Sequence, residues 1–287
     1  MQEPLIGVLA LQGAFEEHQK CLEAVGCRTR QVRVPEDLTD LDGIVLPGGE
    51  STAMGLIGTA TKTSEGETMW ECLQKFSKNK PTWGTCAGMI LLAEKCIGTS
   101  AVIEDGQSLI GGVDICVCRN YFGSQISSFE MATPPPPGIS GNHDYPGVFI
   151  RAPAILSAGP SVEVLGTVSA TPCRHAAVTL QELEKKIMAG ENVVKMSVVD
   201  ALERKSSQEV DYIVVVKSPA ENAEEKKDSD ETKPSIVLPG AADGTNAREV
   251  ICAARKGHLL CTAFHPELTE DNRWHEYFAQ MVKQTKL

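Results

Sequence analysis

Leu5-Ile6-Gly7-Val8-Leu9-Ala10-Leu11-Gln12-Gly13 is an apolar run that stops on a polar residue and a glycine. A strand without polar alternation is one buried on both faces, as in a parallel sheet sandwiched between helices. Working outward, the pattern predicts a helix over 14–25 with Gly26 as its C-cap, then a weakly alternating stretch at 30–34. A second buried strand follows at Gly43-Ile44-Val45-Leu46 and ends on Pro47-Gly48-Gly49. Strand, helix and strand in this order predict an α/β fold with right-handed crossovers. Pro81-Thr82-Trp83-Gly84 then runs into Cys86, and 87–95 reads as a helix with Ile90, Leu91 and Leu92 on its apolar side. Short strands are expected at 148–150 and 162–165. A hairpin is expected from 250–254 and 259–264, turning at Lys256-Gly257. A last helix over 270–283 would anchor itself through Trp274, Phe278, Met281 and Val282.

The texture changes over 172–247. Thr179-Leu180-Gln181-Glu182 has the form of a capping box, with Leu180, Leu183, Ile187 and Met188 at helical spacing behind it. Residues 212–216 read as a strand. Between Glu221 and Lys233 lie six acids, three lysines and no large apolar side chain. Such a stretch cannot offset its ordering entropy, so 217–235 is expected to be a mobile acidic loop. The whole of 1–287 reads as one domain, with 172–247 inserted ahead of the final hairpin.

With 287 residues and 42% hydrophobic content the chain can build a sizeable core. Lys and Arg number 27 against 38 Asp and Glu, a net charge of -11 that repels nucleic acid. No run approaches the roughly 18 apolar residues of a membrane span, and the N-terminus lacks the basic region and cleavage site of an export signal. A cytoplasmic location is expected. The ten cysteines form no disulfide framework, and Cys116-Val117-Cys118 lacks metal-ligand spacing, so reduced thiols and no metal are expected.

Gly84-Thr85-Cys86-Ala87-Gly88 has the G-x-nucleophile-x-G form of an elbow, in which a strained strand-to-helix turn lifts the middle residue above the sheet. A cysteine placed at a helix N-terminus feels orphan N–H groups and the positive end of the helix dipole. It needs a base and a group to orient the base, and Phe264-His265-Pro266-Glu267 offers both. Pro266 biases His265 toward an extended backbone, where residues two apart face one way, so Glu267 would steady the imidazole. The other histidines, 18, 143, 175, 258 and 275, show no such partners and read as surface or core. Pro47-Gly48-Gly49-Glu50-Ser51, between a strand and a helix, reads either as a plain turn or as an oxyanion hole in which Gly49 N–H works with Ala87 N–H.

Together these motifs resemble the class I, triad-type glutamine amidotransferases. Leu9-Ala10-Leu11-Gln12-Gly13-Ala14, Leu46-Pro47-Gly48-Gly49-Glu50-Ser51-Thr52, Arg119-Asn120-Tyr121-Phe122-Gly123, Phe149-Ile150-Arg151-Ala152-Pro153 and Phe264-His265-Pro266-Glu267-Leu268-Thr269 narrow the resemblance to the glutaminase subunits of pyridoxal 5′-phosphate synthase. The resemblance implies a flavodoxin-like three-layer sandwich around a mostly parallel sheet. It also implies hydrolysis of L-glutamine without a cofactor, the ammonia passing to a synthase subunit that uses ribose 5-phosphate and glyceraldehyde 3-phosphate. By resemblance Cys86 is the nucleophile, His265 the base and acid, and Glu267 the orienter. Gly49, Glu50, Ser51, Arg119, Ile150 and Arg151 would hold glutamine. Gln12 and Gly48 would lie where the synthase docks and reorients the Gly48-Gly49 peptide, leaving the isolated subunit poorly active. The departures are the 172–247 segment and smaller ones near 58–67 and 134–146; the long one is either a solvated excursion or part of the active-site rim or partner face. Three other readings stay open at this point: a glutaminase serving another synthase, a related cysteine hydrolase acting on peptides or small aldehydes, and a non-catalytic subunit that keeps the fold.

Overall fold

Each βα turn marked by glycine becomes a crossover in the computed structural model, which describes residues 3–97, 110–123, 128–141, 143–188, 193–198, 208–217, 235–242 and 245–285. Strand β1 (Leu5–Leu9) leads into α1 (Phe15–Ala24), which stops where Gly26 adopts a φ of 81°. Then come β2 (Arg28–Val32), β3 (Gly43–Leu46), α2 (Ser51–Ala60), α3 (Met69–Ser77) and β4 (Thr82–Thr85). Helix α4 (Ala87–Leu92) passes directly into β5 (Ala93–Ile97), followed by β6 (Val113–Cys118). Strands β7 (Ser128–Thr133) and β8 (Tyr145–Ile150) pair as a separate hairpin, and β9 (Ala154–Ala158) and β10 (Glu163–Ala170) rejoin the main sheet. Next are α5 (Arg174–Met188), β11 (Val193–Val198), β12 (Gln208–Lys217) and β13 (Ser235–Pro239). The chain closes with β14 (Arg248–Lys256), β15 (Leu259–Thr262) and α6 (Arg273–Thr285).

The ten-stranded central sheet runs β2-β1-β3-β4-β15-β14-β9-β6-β5, with β10 paired to β14. Its first five strands are parallel. From β1 the order goes outward to β2 and in the opposite direction to β3 and β4. Right-handed crossovers therefore place α1 on one face of the sheet and α2 and α3 on the other. Consistently, α1 packs with α6, whereas α2 packs with α3 and α4. The reversal between β1 and β3 opens a crevice at the carboxyl ends of these strands, where α/β sheets bind ligands.

The core follows the apolar pattern: Ile6, Val8, Ile44, Val45, Leu46 and Trp83 are fully buried, as are Trp274, Phe278 and Val282 of α6. Two expected helices differ. The helix expected over 87–95 ends at Leu92 and is buried all round, because Ala93 turns extended and its successors pair with β6 as an edge strand. The capping box at Thr179 is not an N-terminus: α5 begins five residues earlier, and the Thr179 hydroxyl bonds back to the carbonyl of His175. Between β10 and β14 the chain forms α5 and the three-stranded sheet β11-β12-β13. Arg248, which is buried, ties this region to the main sheet through Glu184 at 2.6 Å and the carbonyl of Pro239 at 2.6 Å. Residues 218–234, which cover most of the expected acidic loop, lie outside the described residues. Among the described residues no helix is long and apolar enough to cross a membrane.

Candidate active site

Cys86 stands at the carboxyl end of β4 as the N-cap of α4, with φ 47° and ψ −105°. A non-glycine residue held there costs on the order of 1–3 kcal/mol, which the flanking contacts must over-determine. They do so by close packing. A Cβ on Gly88 would lie 1.9 Å from the carbonyl oxygen of Leu46, and one on Gly84 would lie 2.4 Å from the carbonyl oxygen of Gly88. The Cys86 amide donates to the Thr262 carbonyl at 2.9 Å, which fixes the elbow against β15.

Because β15 runs parallel beside β4, the chain leaving Thr262 emerges next to Cys86. His265 is held there by its amide, which donates to Val148 of β8 at 2.8 Å. Its side chain is hydrogen-bonded to that of Cys86. Its Nδ1 lies 2.7 Å from Oε1 of Glu267, and both side chains are buried. The pairing is as expected but the backbone is not. His265 starts a 3-10 turn, Pro266–Leu268, with proline in its first position, so the carboxylate reaches the imidazole by a tight turn rather than along an extended strand. Tyr145 braces this turn, its hydroxyl lying 2.9 Å from the Asp271 carbonyl and 3.0 Å from Thr269 Oγ1.

Burial works against a charge on His265. The facing Cys86 sulfur, through its negative charge and hydrogen bond, and then Glu267 overcome this and hold the imidazole pKa well above its ordinary value. Burial likewise disfavours the Glu267 carboxylate, but His18 and His265 beside it bring its pKa below the usual range.

The glycine turn after β3 packs against the His265 ring and Gln12. A Cβ on Gly48 would fall 2.2 Å from Cε1 of His265, and one on Gly49 would fall 2.4 Å from Oε1 of Gln12. The same Gln12 oxygen accepts from the amide of Glu50 at 2.6 Å. Gly13, at φ 99°, leaves room for the Gly48 carbonyl, which a Cβ there would strike at 1.7 Å. The Glu50 side chain caps α2, accepting from Thr52 N at 3.1 Å and Ala53 N at 2.7 Å. Its carboxylate is thus committed to the helix. Ser51 accepts from Arg119 Nη2 at 2.9 Å, and Phe122 N donates to Ala152 O at 3.1 Å, which joins the 119–123 and 149–153 segments. Ile150 ends β8 two residues beyond the anchor of His265 and is half-buried. Arg151, exposed at φ 48°, lines a cavity of about 570 Å³ with Asn120, Cys173, Arg174 and His175.

The remaining histidines are surface or core as expected, His143 and His175 exposed and His18 and His275 buried, but His18 does have partners at the site. His18 Nε2 lies 3.2 Å from Glu267 Oε2, and its Nδ1 lies 3.0 Å from His275 Nε2. His258 bonds the carbonyl of Ser77 at 2.7 Å. A signal for His18 exists in the sequence: it stands four residues before Leu22, on the buried stripe of α1.

A thiol on a strained elbow, backed by a buried imidazole and carboxylate at the carboxyl ends of parallel strands, is the arrangement expected of a triad-type amidotransferase. Residues 8–191 match the SNO glutamine amidotransferase family, a span that contains Cys86 and stops short of His265 and Glu267. The chain belongs to that family. It is 37% identical over 283 residues to the probable pyridoxal 5′-phosphate synthase subunit PDX2 of Arabidopsis thaliana, covering 97% of this chain and 86% of the relative. It is 36% identical over 280 residues to the pyridoxal 5′-phosphate synthase subunit PdxT of Brevibacillus brevis, covering 97% of each. A crystal structure of a glutamine amidotransferase superposes with a TM-score of 0.59 at 26% identity, covering 97% of this chain and 98% of that one.

Proposed function

We propose that this chain hydrolyses L-glutamine to L-glutamate and ammonia, and delivers the ammonia to a synthase subunit that makes pyridoxal 5′-phosphate from ribose 5-phosphate and glyceraldehyde 3-phosphate. The observation that carries the reading is the buried Cys86, His265 and Glu267 array on the elbow. The named relatives supply the synthase partner. The Cys86 thiolate attacks the side-chain amide carbon of glutamine, and N–H groups of Gly49 and Ala87 hold the oxyanion. His265 gives its proton to the departing amine, which leaves as ammonia. In the resulting γ-glutamyl thioester the sulfur no longer carries the negative charge that raised the His265 pKa, so the imidazole is free to take a proton from water. Water attack expels the Cys86 thiolate and releases glutamate. Glycine and serine of 49–51, with Arg119, Ile150 and Arg151, form the cradle for the zwitterionic substrate; Glu50, its carboxylate engaged in capping α2, contributes through its backbone.

Gln12 and Gly13 hold the Gly48-Gly49-Glu50 backbone on the exposed side of the crevice, so a partner that displaces the Gln12 loop moves the oxyanion peptide with it. We read 1–287 as one glutaminase domain with 172–247 inserted in it, in a cytoplasmic protein, as ten free thiols suit a reducing compartment. The test is ammonia release from L-glutamine by the full chain with and without the synthase subunit. Release that rises strongly with the partner supports the reading, and no release in either case refutes it.

Two further results are expected. Gly48→Ala pushes a Cβ into the His265 ring and shifts the base by roughly an ångström, a displacement that costs about 100-fold in kcat; circular dichroism should show the fold retained. The second concerns pH. His265 has a folded pKa above its unfolded one, so the stabilisation it provides is complete below about pH 6.5 and is lost as pH rises through the raised value. NMR titration should find its imidazolium persisting well above pH 6.5, and a downward shift in Cys86→Ala. An unchanged titration in that variant would remove the thiolate and imidazolium pair from the mechanism.

A further inference from the structure

The triad ends at Glu267 only if one of its oxygens needs no partner. Glu267 is fully buried at its side chain, Oε1 serves His265, and Oε2 faces the ring of His18. The 3.2 Å approach of His18 Nε2 is a close electrostatic contact in which the N–H is not aligned on the oxygen, and among the described residues Oε2 has no hydrogen-bond donor. Thr85 Oγ1, adjacent to the nucleophile, lies 3.3 Å from the same nitrogen. On its other side, the His18 ring meets His275 Nε2 at 3.0 Å. Trp83 stands edge-on to both rings, at centroid distances of 5.7 and 5.0 Å. Three residues from β4 and α6 thus hold the imidazole of α1 behind the catalytic carboxylate.

We propose that His18 is a positioning residue for the glutaminase reaction: its Nε2–H edge, tied to Thr85 Oγ1 at 3.3 Å and set 3.2 Å from Glu267 Oε2, holds in place electrostatically the carboxylate that in turn orients His265. The inference rests on the reading of Cys86, His265 and Glu267 as the triad. The tautomer follows from donor counting. A carboxylate only accepts, so a His18 ring with its lone pair turned toward Oε2 would set two acceptors 3.2 Å apart in a buried site. The proton therefore sits on Nε2. Nδ1 is then the acceptor, and His275 Nε2–H is its donor. This leaves His275 Nδ1 as a bare acceptor, and it is indeed buried without a partner among the described residues. Burial keeps both rings neutral, lowering the pKa of His18 despite the opposing pull of Glu267, and that of His275 further still. Donation thus runs from His275 to His18, whose Nε2–H edge faces one Glu267 oxygen while His265 Nδ1 donates to the other.

Without the His18 donor, a buried anion loses part of its stabilisation and its protonated form gains. Its pKa then rises toward the working range and the acid limb of the rate profile moves to higher pH. The titratable groups facing His18 are His265 and Glu267 from the segment after β15, His275 from α6, and Glu17 on α1 itself.

The experiment compares His18→Leu, His18→Gln and wild type in the full chain assayed with its synthase subunit, following ammonia release against pH. Leucine fills the space without a donor, whereas glutamine restores an N–H. For His18→Leu the expected result is a kcat loss of 10-fold to 100-fold, KM within twofold, and an acid limb displaced upward. For His18→Gln the expected result is recovery to within about fivefold with the wild-type limb. His18→Leu that matches wild type in kcat and limb, or that outperforms His18→Gln, overturns the proposal. A second readout needs no variant. Histidine ¹⁵N spectra of the wild-type chain should show His18 neutral with its proton on Nε2, and a proton on Nδ1 overturns the assignment. Failure of the glutaminase reading is distinguished by a wild-type chain that releases no ammonia with its partner.

Discussion

Cys86→Ala is expected to lower ammonia release from glutamine by at least about 10⁴-fold while leaving the melting temperature and binding to the synthase subunit close to wild type. The size follows from chemistry. Among the described residues the thiol hydrogen-bonded to His265 is that of Cys86, and burial pushes other thiols up, to about 12 at Cys252 and about 11 at Cys21. The small stability effect follows from geometry, since alanine keeps the Cβ and removes one buried atom from a position whose strain lies in the backbone. Measured by coupled glutamate assay and by co-elution with the synthase, this result separates an enzyme from a scaffold. Retained hydrolysis would mean the elbow does not carry the reaction.

Glu267→Gln is expected to cost about 10³-fold to 10⁴-fold in kcat with little change in KM. At neutral pH the native carboxylate is ionised, its pKa lying below the usual range despite burial. Its Oε1 accepts from His265 Nδ1 at 2.7 Å, and its Oε2 faces the donor edge of the His18 ring at 3.2 Å. An amide offers one acceptor and one donor, so it cannot satisfy both. With its oxygen toward His265, its NH₂ opposes His18 Nε2–H. Reversed, its NH₂ faces His265 Nδ1 and drives that ring's proton onto Nε2, the nitrogen that must serve Cys86. Either arrangement also deletes the charge that stabilises the imidazolium. Activity within tenfold of wild type would show that His265 is oriented by its own packing and not by Glu267.

Much of the site was legible because its elements are local. A continuous apolar run such as Leu5–Leu9 can only be a strand covered on both faces, and glycines at 48, 49, 84 and 88 mark places where backbone passes within van der Waals reach of backbone or of the His265 ring. His265 pairs with Glu267 on a backbone other than the extended one expected: Pro266 initiates a 3-10 turn, and both conformations bring residues two apart within reach. Helix α4 stops at Leu92 although Ala93, Glu94 and Lys95 have helical propensity, because pairing with β6 overrides it. The role of His18 was beyond local reading. Helical phase puts it inside beside Leu22, but what it faces there depends on α6 and on the turn after β15, more than two hundred residues away.

The most direct test of Cys86 as the nucleophile in glutamine hydrolysis is rapid acid quench of the chain, with its synthase subunit, turning over L-glutamine, followed by peptide mass mapping. The expected result is a γ-glutamyl thioester on the peptide bearing Cys86, absent from Cys86→Ala. Rapid glutamine hydrolysis with that peptide unmodified throughout, or with the adduct on another of the ten cysteines, would contradict it.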